Sequence, residues 1–252
     1  MSLARAALRF LVVEALSPYG ANAAGPWPTV AKARIYDSRL VPPEDLSTTE
    51  RRPIVIVYTD EVEDIPRQNT GRGELRGRVD LRFELAVPQL VQDEDQAPEA
   101  FNPVTDPETE GTLDLLESQI RFCLNMGPSG ELLRKLMPPK LEWVRSEPFR
   151  TAEERVRISA RTLTLRLVEF KGDCFDPAPE TAPTGLDRLP DPLRTVAKAL
   201  PAGSYGRVMA TALADFASGM PLKTPLERVG LTTTIKPTTH TLPSVVDLPQ
   251  DP

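Results

Sequence analysis

The sequence predicts an α/β (α+β) fold of long strands and amphipathic helices, followed by a C-terminal helical appendage and an extended arm. Three observations predict it. Residues 75–87 alternate strictly, with Leu75, Gly77, Val79, Leu81, Phe83, Leu85 and Val87 on one side and Arg76, Arg78, Asp80, Arg82 and Glu84 on the other. That is the period of a strand with one buried face. Ile54-Val55-Ile56-Val57-Tyr58 is a continuous run rich in β-branched residues, the pattern of a central strand buried on both faces. Leu113, Leu116, Ile120, Cys123 and Leu124 recur at helical spacing, the stripe of a helix lying on a core.

The remaining elements follow in chain order. Residues 3–16 are apolar on nearly every face, with Ser2 as N-cap and Pro18 and Gly20 as stop signals, so this helix is covered on more than one side. Glu14 interrupts the apolar run, which therefore reads as a helix rather than a secretory signal. Pro26-Trp27-Pro28 turns the chain into an extended piece over residues 30–40 that holds Ala33-Arg34-Ile35-Tyr36-Asp37-Ser38-Arg39. Residues 60–73 read as a loop between the two central strands, acidic at first (Asp60, Glu61, Glu63, Asp64) and then rich in Arg and Gly. Residues 92–110 form an acidic connection without Lys or Arg that includes Asp93, Glu94, Asp95 and Glu99.

Asp106-Pro107-Glu108 opens the helix with a cap, a proline in the first turn and an acid at the positive end of the dipole, and Gly127-Pro128 ends it. Ser129 caps a shorter helix that stops at Pro138-Pro139. Residues 141–149 and 155–170 read as a last strand pair around a turn at 151–154. In the second of these strands the apolar phase shifts from Val156, Ile158 and Ala160 to Leu163, Leu165 and Leu167. The shift predicts either a bulge near Arg161-Thr162 or cover on both faces.

Composition divides the chain into residues 1–176, the α/β domain, and residues 177–252, a proline-rich extension. The extension has as many basic as acidic residues, so the net charge of −6 belongs to the first part. Within it, Asp191-Pro192 starts one short helix and Ser204 caps a second, and the stretch beyond Lys223 offers Thr and Pro but little for a core.

The same counts remove several function classes. An acidic chain lacks the Lys and Arg surplus of a general nucleic-acid binder. No apolar run reaches about 18 residues, the length of a membrane span. Two cysteines make no disulfide framework, and neither has a zinc-site neighbour in the sequence. Cys123 falls on the apolar stripe, and the acids beside Cys174 disfavour its thiolate. His240, the single histidine, sits in the proline-rich tail without the support that a triad or metal site needs. The acids of residues 60–64 lack the ligand spacing of a calcium loop, and Gly71-Arg72-Gly73 leads into a strand instead of the helix of a phosphate loop. No catalytic residue, metal site or cofactor is expected.

The pattern that carries most weight is electrostatic. Arg67, Arg72, Arg76, Arg78 and Arg82 crowd one hairpin, while Asp93, Glu94, Asp95 and Glu99 belong to a purely acidic stretch. Segments of opposite sign suit docking of one subunit on its neighbour. A solvated strand face explains the arginines equally, and the wall of a channel that DNA traverses is a third option.

The order of segments resembles the tail terminator proteins of long-tailed bacteriophages. The segments are the first helix, Ala33-Arg-Ile-Tyr-Asp-Ser-Arg39, Arg52-Pro-Ile-Val-Ile-Val-Tyr-Thr-Asp60, the long alternating strand, Leu113-Asp-Leu-Leu-Glu-Ser-Gln-Ile120 and Glu154-Arg-Val-Arg-Ile-Ser-Ala-Arg-Thr-Leu-Thr-Leu165. The resemblance covers roughly residues 1–172. It implies an α/β subunit with a mixed or antiparallel sheet and helices packed on one side, a non-enzymatic structural virion protein at the tail–neck junction that assembles in the host cytoplasm as a homo-hexameric ring. Such a ring caps the tail tube protein and meets a neck, connector or collar protein. A sheath protein is a further candidate partner, DNA contact is confined to passage through the lumen, and no membrane is involved. The extension beyond residue 176 departs from the family pattern. A head completion or neck adaptor protein, or a baseplate component, is the alternative, and a metal-dependent hydrolase using the acids of residues 60–64 comes third.

Overall fold

The computed structural model describes residues 3–21, 25–39, 53–66, 75–90, 107–153, 156–174 and 183–219. These residues form a five-stranded mixed sheet with helices packed against one face, an α+β fold. The strands are β1 (Ile35–Asp37), β2 (Ile54–Pro66), β3 (Leu75–Leu90), β4 (Lys140–Glu153) and β5 (Val156–Lys171), in the order β1-β2-β3-β5-β4. Only the β1–β2 pair is parallel. The helices are α1 (Ala4–Leu16), α2 (Pro107–Asn125), α3 (Glu131–Leu136), α4 (Leu193–Ala199) and α5 (Tyr205–Gly219).

The alternation in β3 sets the two faces of the sheet. Val79, Leu81, Phe83, Leu85 and Val87 are buried, opposite Val55 and Val57 of β2 and Leu163, Leu165 and Leu167 of β5. Each such side chain, fully buried, contributes roughly 1.5–3 kcal/mol. Helix α1 lies at the centre of the helical layer, buried along most of its circumference as its all-round apolar pattern requires. Its first amides, Leu3 N–H and Ala4 N–H, donate to the two carboxylate oxygens of Asp173 at 2.8 and 2.7 Å. A carboxylate at the helix start satisfies donors that the helix itself cannot. The expected cap, Ser2, lies outside the described residues.

Other expectations are corrected by the packing. The extended piece foreseen over residues 30–40 shortens to β1, because residues 29–33 form turns. β2 does not end at Tyr58. It runs through the acidic stretch to Pro66, with a bulge between Asp60 and Val62, where Glu61 takes a positive φ of 33°. Nor is β2 buried on both faces, since Ile56 and Tyr58 are only half-buried. Ser129 does not cap α3; its Oγ has no hydrogen-bond partner among the described residues. A 3-10 turn over Pro128–Gly130 leads into that helix, and a Cβ on Gly130 would stand 1.9 Å from the Cys123 carbonyl oxygen. Arg134 Nη2 donates to Gly127 O at 2.8 Å and Nη1 to Cys123 O and Leu124 O, placing a cation on the C-terminal carbonyls of α2.

The two C-terminal helices exist where the sequence places them. Ser204 Oγ accepts from Arg207 N–H at 3.3 Å, as a cap should. Leu193, Val196, Ala197, Leu200, Ala210 and Ala214 belong to the same buried cluster as the sheet and α1, so both helices complete the core. Gly206 makes the approach possible: a Cβ there would lie 2.7 Å from Phe10 Cβ on α1. Residues 220–252 lie outside the described residues.

Candidate functional site

Among the described residues no helix covers the outer face of the sheet, and the register brings its charges together in rows. One row runs Asp60, Asp80, Arg166 and Trp143 across β2, β3, β5 and β4. Asp80, only 6% exposed, accepts from Arg166 Nε and Nη2 at 2.6 and 2.7 Å, a two-pronged charge-assisted pair. Glu61 accepts from the same guanidinium at 2.7 Å, and that guanidinium lies 4.9 Å over the Trp143 ring. The hydrogen bonds to Asp80, with the charges of Asp80 and Glu61, outweigh desolvation and raise the Arg166 pKa.

Bulges build this cluster. Glu61 is the extra residue of β2, Glu142 is the extra residue of β4, and the β3–β5 register shifts between Gly77 and Val79. All three irregularities fall at one end of the sheet. They aim Glu63 and Glu142 at Arg78, each 3.4 Å away, and leave Lys140 paired with Glu169.

Of the arginines foreseen for contacts, Arg78 therefore meets Glu63 and Glu142, and Arg82 lies 3.3 Å from Asp60. On this face carboxylates (Asp60, Glu61, Glu63, Asp80, Glu84, Glu142, Glu147) outnumber arginines (Arg78, Arg82, Arg145, Arg166), so the described part of the hairpin is not a basic surface. The side chain of Arg76 lies outside the described residues, as do Arg67, Arg72, Asp93, Glu94, Asp95, Glu99 and His240. Among the described residues no group of acids, Cys and His could hold a metal ion. The carboxylates of the β2 bulge answer arginines on neighbouring strands.

The phase shift in β5 has a different cause from a bulge. Arg161 pairs regularly with Leu85 and Pro148, which puts it on the helix-covered face. There it meets three carboxylates of α2: Asp114 at 2.5 Å, Glu110 at 3.1 Å and Glu117 at 3.2 Å. Burial lowers the Arg161 pKa, and the hydrogen bonds to Asp114 and Glu117 with their charges reverse the direction, so the net effect is upward. Ser146 of β4 donates to Glu117 at 2.8 Å, which ties the edge strand to the same helix.

A cleft of about 550 Å³ opens between α1, β1 and the start of α5, lined by Val13, Glu14, Tyr19, Ile35, Asp37 and Tyr205 among others. Asp37 accepts from Arg9 Nε at 2.5 Å, Ser38 Oγ at 3.0 Å and Tyr205 Oη at 3.2 Å, while Arg9 Nη1 donates to Thr59 Oγ1 at 2.7 Å. Burial, then the Asp37 charge, pushes the Tyr205 phenol up to about 12, and burial also raises Glu14. Its described walls hold no Cys, His or Lys. The network fastens α5 to the edge of the sheet and offers no paired nucleophile and base. Burial likewise pushes the Cys123 thiol up, away from a reactive thiolate.

The remaining candidate surface is apolar. At about 100° per residue, Leu115 and Phe122 lie on the side of α2 opposite its buried stripe, and Met126 follows directly after its last residue. They are 48%, 56% and 77% exposed. On α5, Val208 and Phe216 are 55% and 73% exposed beyond the buried Ala210 and Ala214. The helical spacing of the α2 stripe was present in the sequence, hidden by the stronger stripe behind it. No protein-family model matches the chain, and no curated protein matches it either.

Proposed function

We propose that this chain is a structural ring subunit of a long-tailed phage, a tail terminator that caps the tail tube and joins it to the neck. The observation that supports the reading is surface that a lone subunit leaves uncovered. Exposed apolar side chains stand out on α2 and α5, and among the described residues β4 is a sheet edge. Exposed apolar patches mark contact with other chains. The charged outer face adds fixed partners for complementary docking, with Arg78, Arg82 and Arg166 held by acids in one orientation. The segment order shared with tail terminators directs the choice among ring-forming virion proteins.

The test is selective co-sedimentation. Purified chain mixed with assembled tail tubes should pellet with them and cap their ends, and should ignore portal and adaptor rings. Binding to the adaptor ring in preference to the tube would replace the terminator by a neck adaptor. Indifference to both would reject the reading.

A further inference from the structure

The edge strand β4 and the chain after α5 have features that fit one another. Among the described residues β4 pairs only with β5, and none of them pairs with the backbone donors and acceptors along its other side. A long open edge is a template for another strand. Pro148 removes a donor, which confines clean pairing to residues 140–147. Helix α2 packs over β3 and β5 and leaves Leu141 and Val144 of β4 41% and 37% exposed. Beside the start of the strand lies a cleft of about 290 Å³, lined by Leu136, Met137 and Phe170 among other apolar residues and by the charged Lys140, Glu169 and Lys171. The site has backbone groups to pair, apolar ground on one face and a pocket at one end, the requirements for β-strand addition.

The sequence after Gly219 contains one segment of matching character. Residues 226–236 are its longest stretch without proline, and within them Val229, Leu231, Thr233 and Ile235 alternate with Gly230, Thr232, Thr234 and Lys236. This is a β-branched, period-two pattern with one apolar side. Its length suits the open part of β4.

Tyr205, at the start of α5, is bonded to Asp37 in β1, and β1 and β4 are opposite edges of the sheet. A tail that leaves a helix fastened at the β1 edge and docks on a β4 edge joins unlike surfaces, the heterologous arrangement that closes rings. We propose that residues 229–235 add as a sixth strand to β4 of a second copy of this chain. The added strand sets Val229, Leu231 and Ile235 over Leu141 and Val144. The inference rests on the ring reading and supplies its lock.

Hydrogen exchange on the full chain tests it, read at residues 141–147 over a range of concentration and beside the variant Thr233→Pro, which changes nothing in the described core. In the unaltered chain, exchange of edge-facing amides should slow at least tenfold as assembly sets in. Thr233→Pro should abolish the slowing and lower the assembled mass. Equal slowing in both chains, or slowing independent of concentration, which marks a chain's own tail, overturns the proposal. Rings that form at full strength with β4 unprotected overturn strand addition and leave the ring standing. A chain that stays monomeric even with tail tubes removes the ring as well.

Discussion

Replacing Arg161 by leucine probes the joint between sheet and helix. The guanidinium is 13% exposed on the helix-covered face, held by Glu117 at 12%, Glu110 at 23% and Asp114 at 68% exposure. Leucine refills the aliphatic space, so the loss is electrostatic. The desolvated Glu117 contact contributes about 1.5–3 kcal/mol as a hydrogen bond between charges. The more exposed Glu110 and Asp114 contacts add about 0.5 kcal/mol each. Without the cation, three acids at i, i+4 and i+7 repel one another along α2, about 0.3 kcal/mol per neighbouring pair. The expected destabilisation is about 3–4.5 kcal/mol, or about 6–18 °C in Tm for a chain of this size.

Urea unfolding at pH 7 reads the first figure and calorimetry the second. Arg121→Met is the control, because Arg121 is 44% exposed and its pair with Glu117 at i, i+4 contributes about 0.3–0.5 kcal/mol. Adding Glu117→Gln to Arg161→Leu should recover part of the loss, since it removes the repulsion between Glu117 and Asp114 and a largely buried carboxylate left with only the more exposed Arg121 as counter-charge. A loss under about 1 kcal/mol, or one equal to that of the Arg121 control, would refute the reasoning.

The remaining predictions concern titration and assembly. Burial raises the Glu14 pKa, so the folded state holds this proton more tightly than the unfolded one. The associated stability is full below the unfolded value and is lost as pH rises through the folded value. Glu14→Gln should therefore raise Tm over wild type at pH 7, with the gap closing near pH 4 (~4.3 is the ordinary Glu value); an equal gap at both pH values would contradict this. Ultraviolet titration should show a tyrosine ionising near 12, and Asp37→Asn should lower that value partway, since burial is the larger cause. Phe122→Ser with Met126→Ser should leave Tm within about 1 °C and weaken self-association at least tenfold if α2 faces a neighbour, as sedimentation velocity would show.

How much of this the sequence discloses depends on the range of the interactions. The β3 alternation and the buried stripe of α2 are local patterns that packing does not override, and both appear where read. The Ser204 cap is equally local and also appears. The acids of residues 60–64 read as a loop because Val62 is the one strand former among four carboxylates. Yet a bulge at Glu61 and arginines on β3 and β5 hold them in β2, and those partners are distant in sequence.

Arg161 read as a register fault because charge on a core-facing position looks out of phase until the three carboxylates of α2 are placed above it. The cap of α1 comes from Asp173, beyond any local rule. At the candidate contact surface the sequence marked Arg78 and Arg82 and missed their pairing with acids. It also missed Arg166 with Asp80, a pair made only when β3 meets β5.

The central claim is that this 27.8 kDa chain works as a ring subunit. The most direct measurement is its solution mass by multi-angle light scattering, alone and then with purified tail tube protein. The account expects a ring of about six copies, preformed or assembled when the tube is added. A monomer whose mass and concentration dependence do not change when the tube protein is present would contradict it.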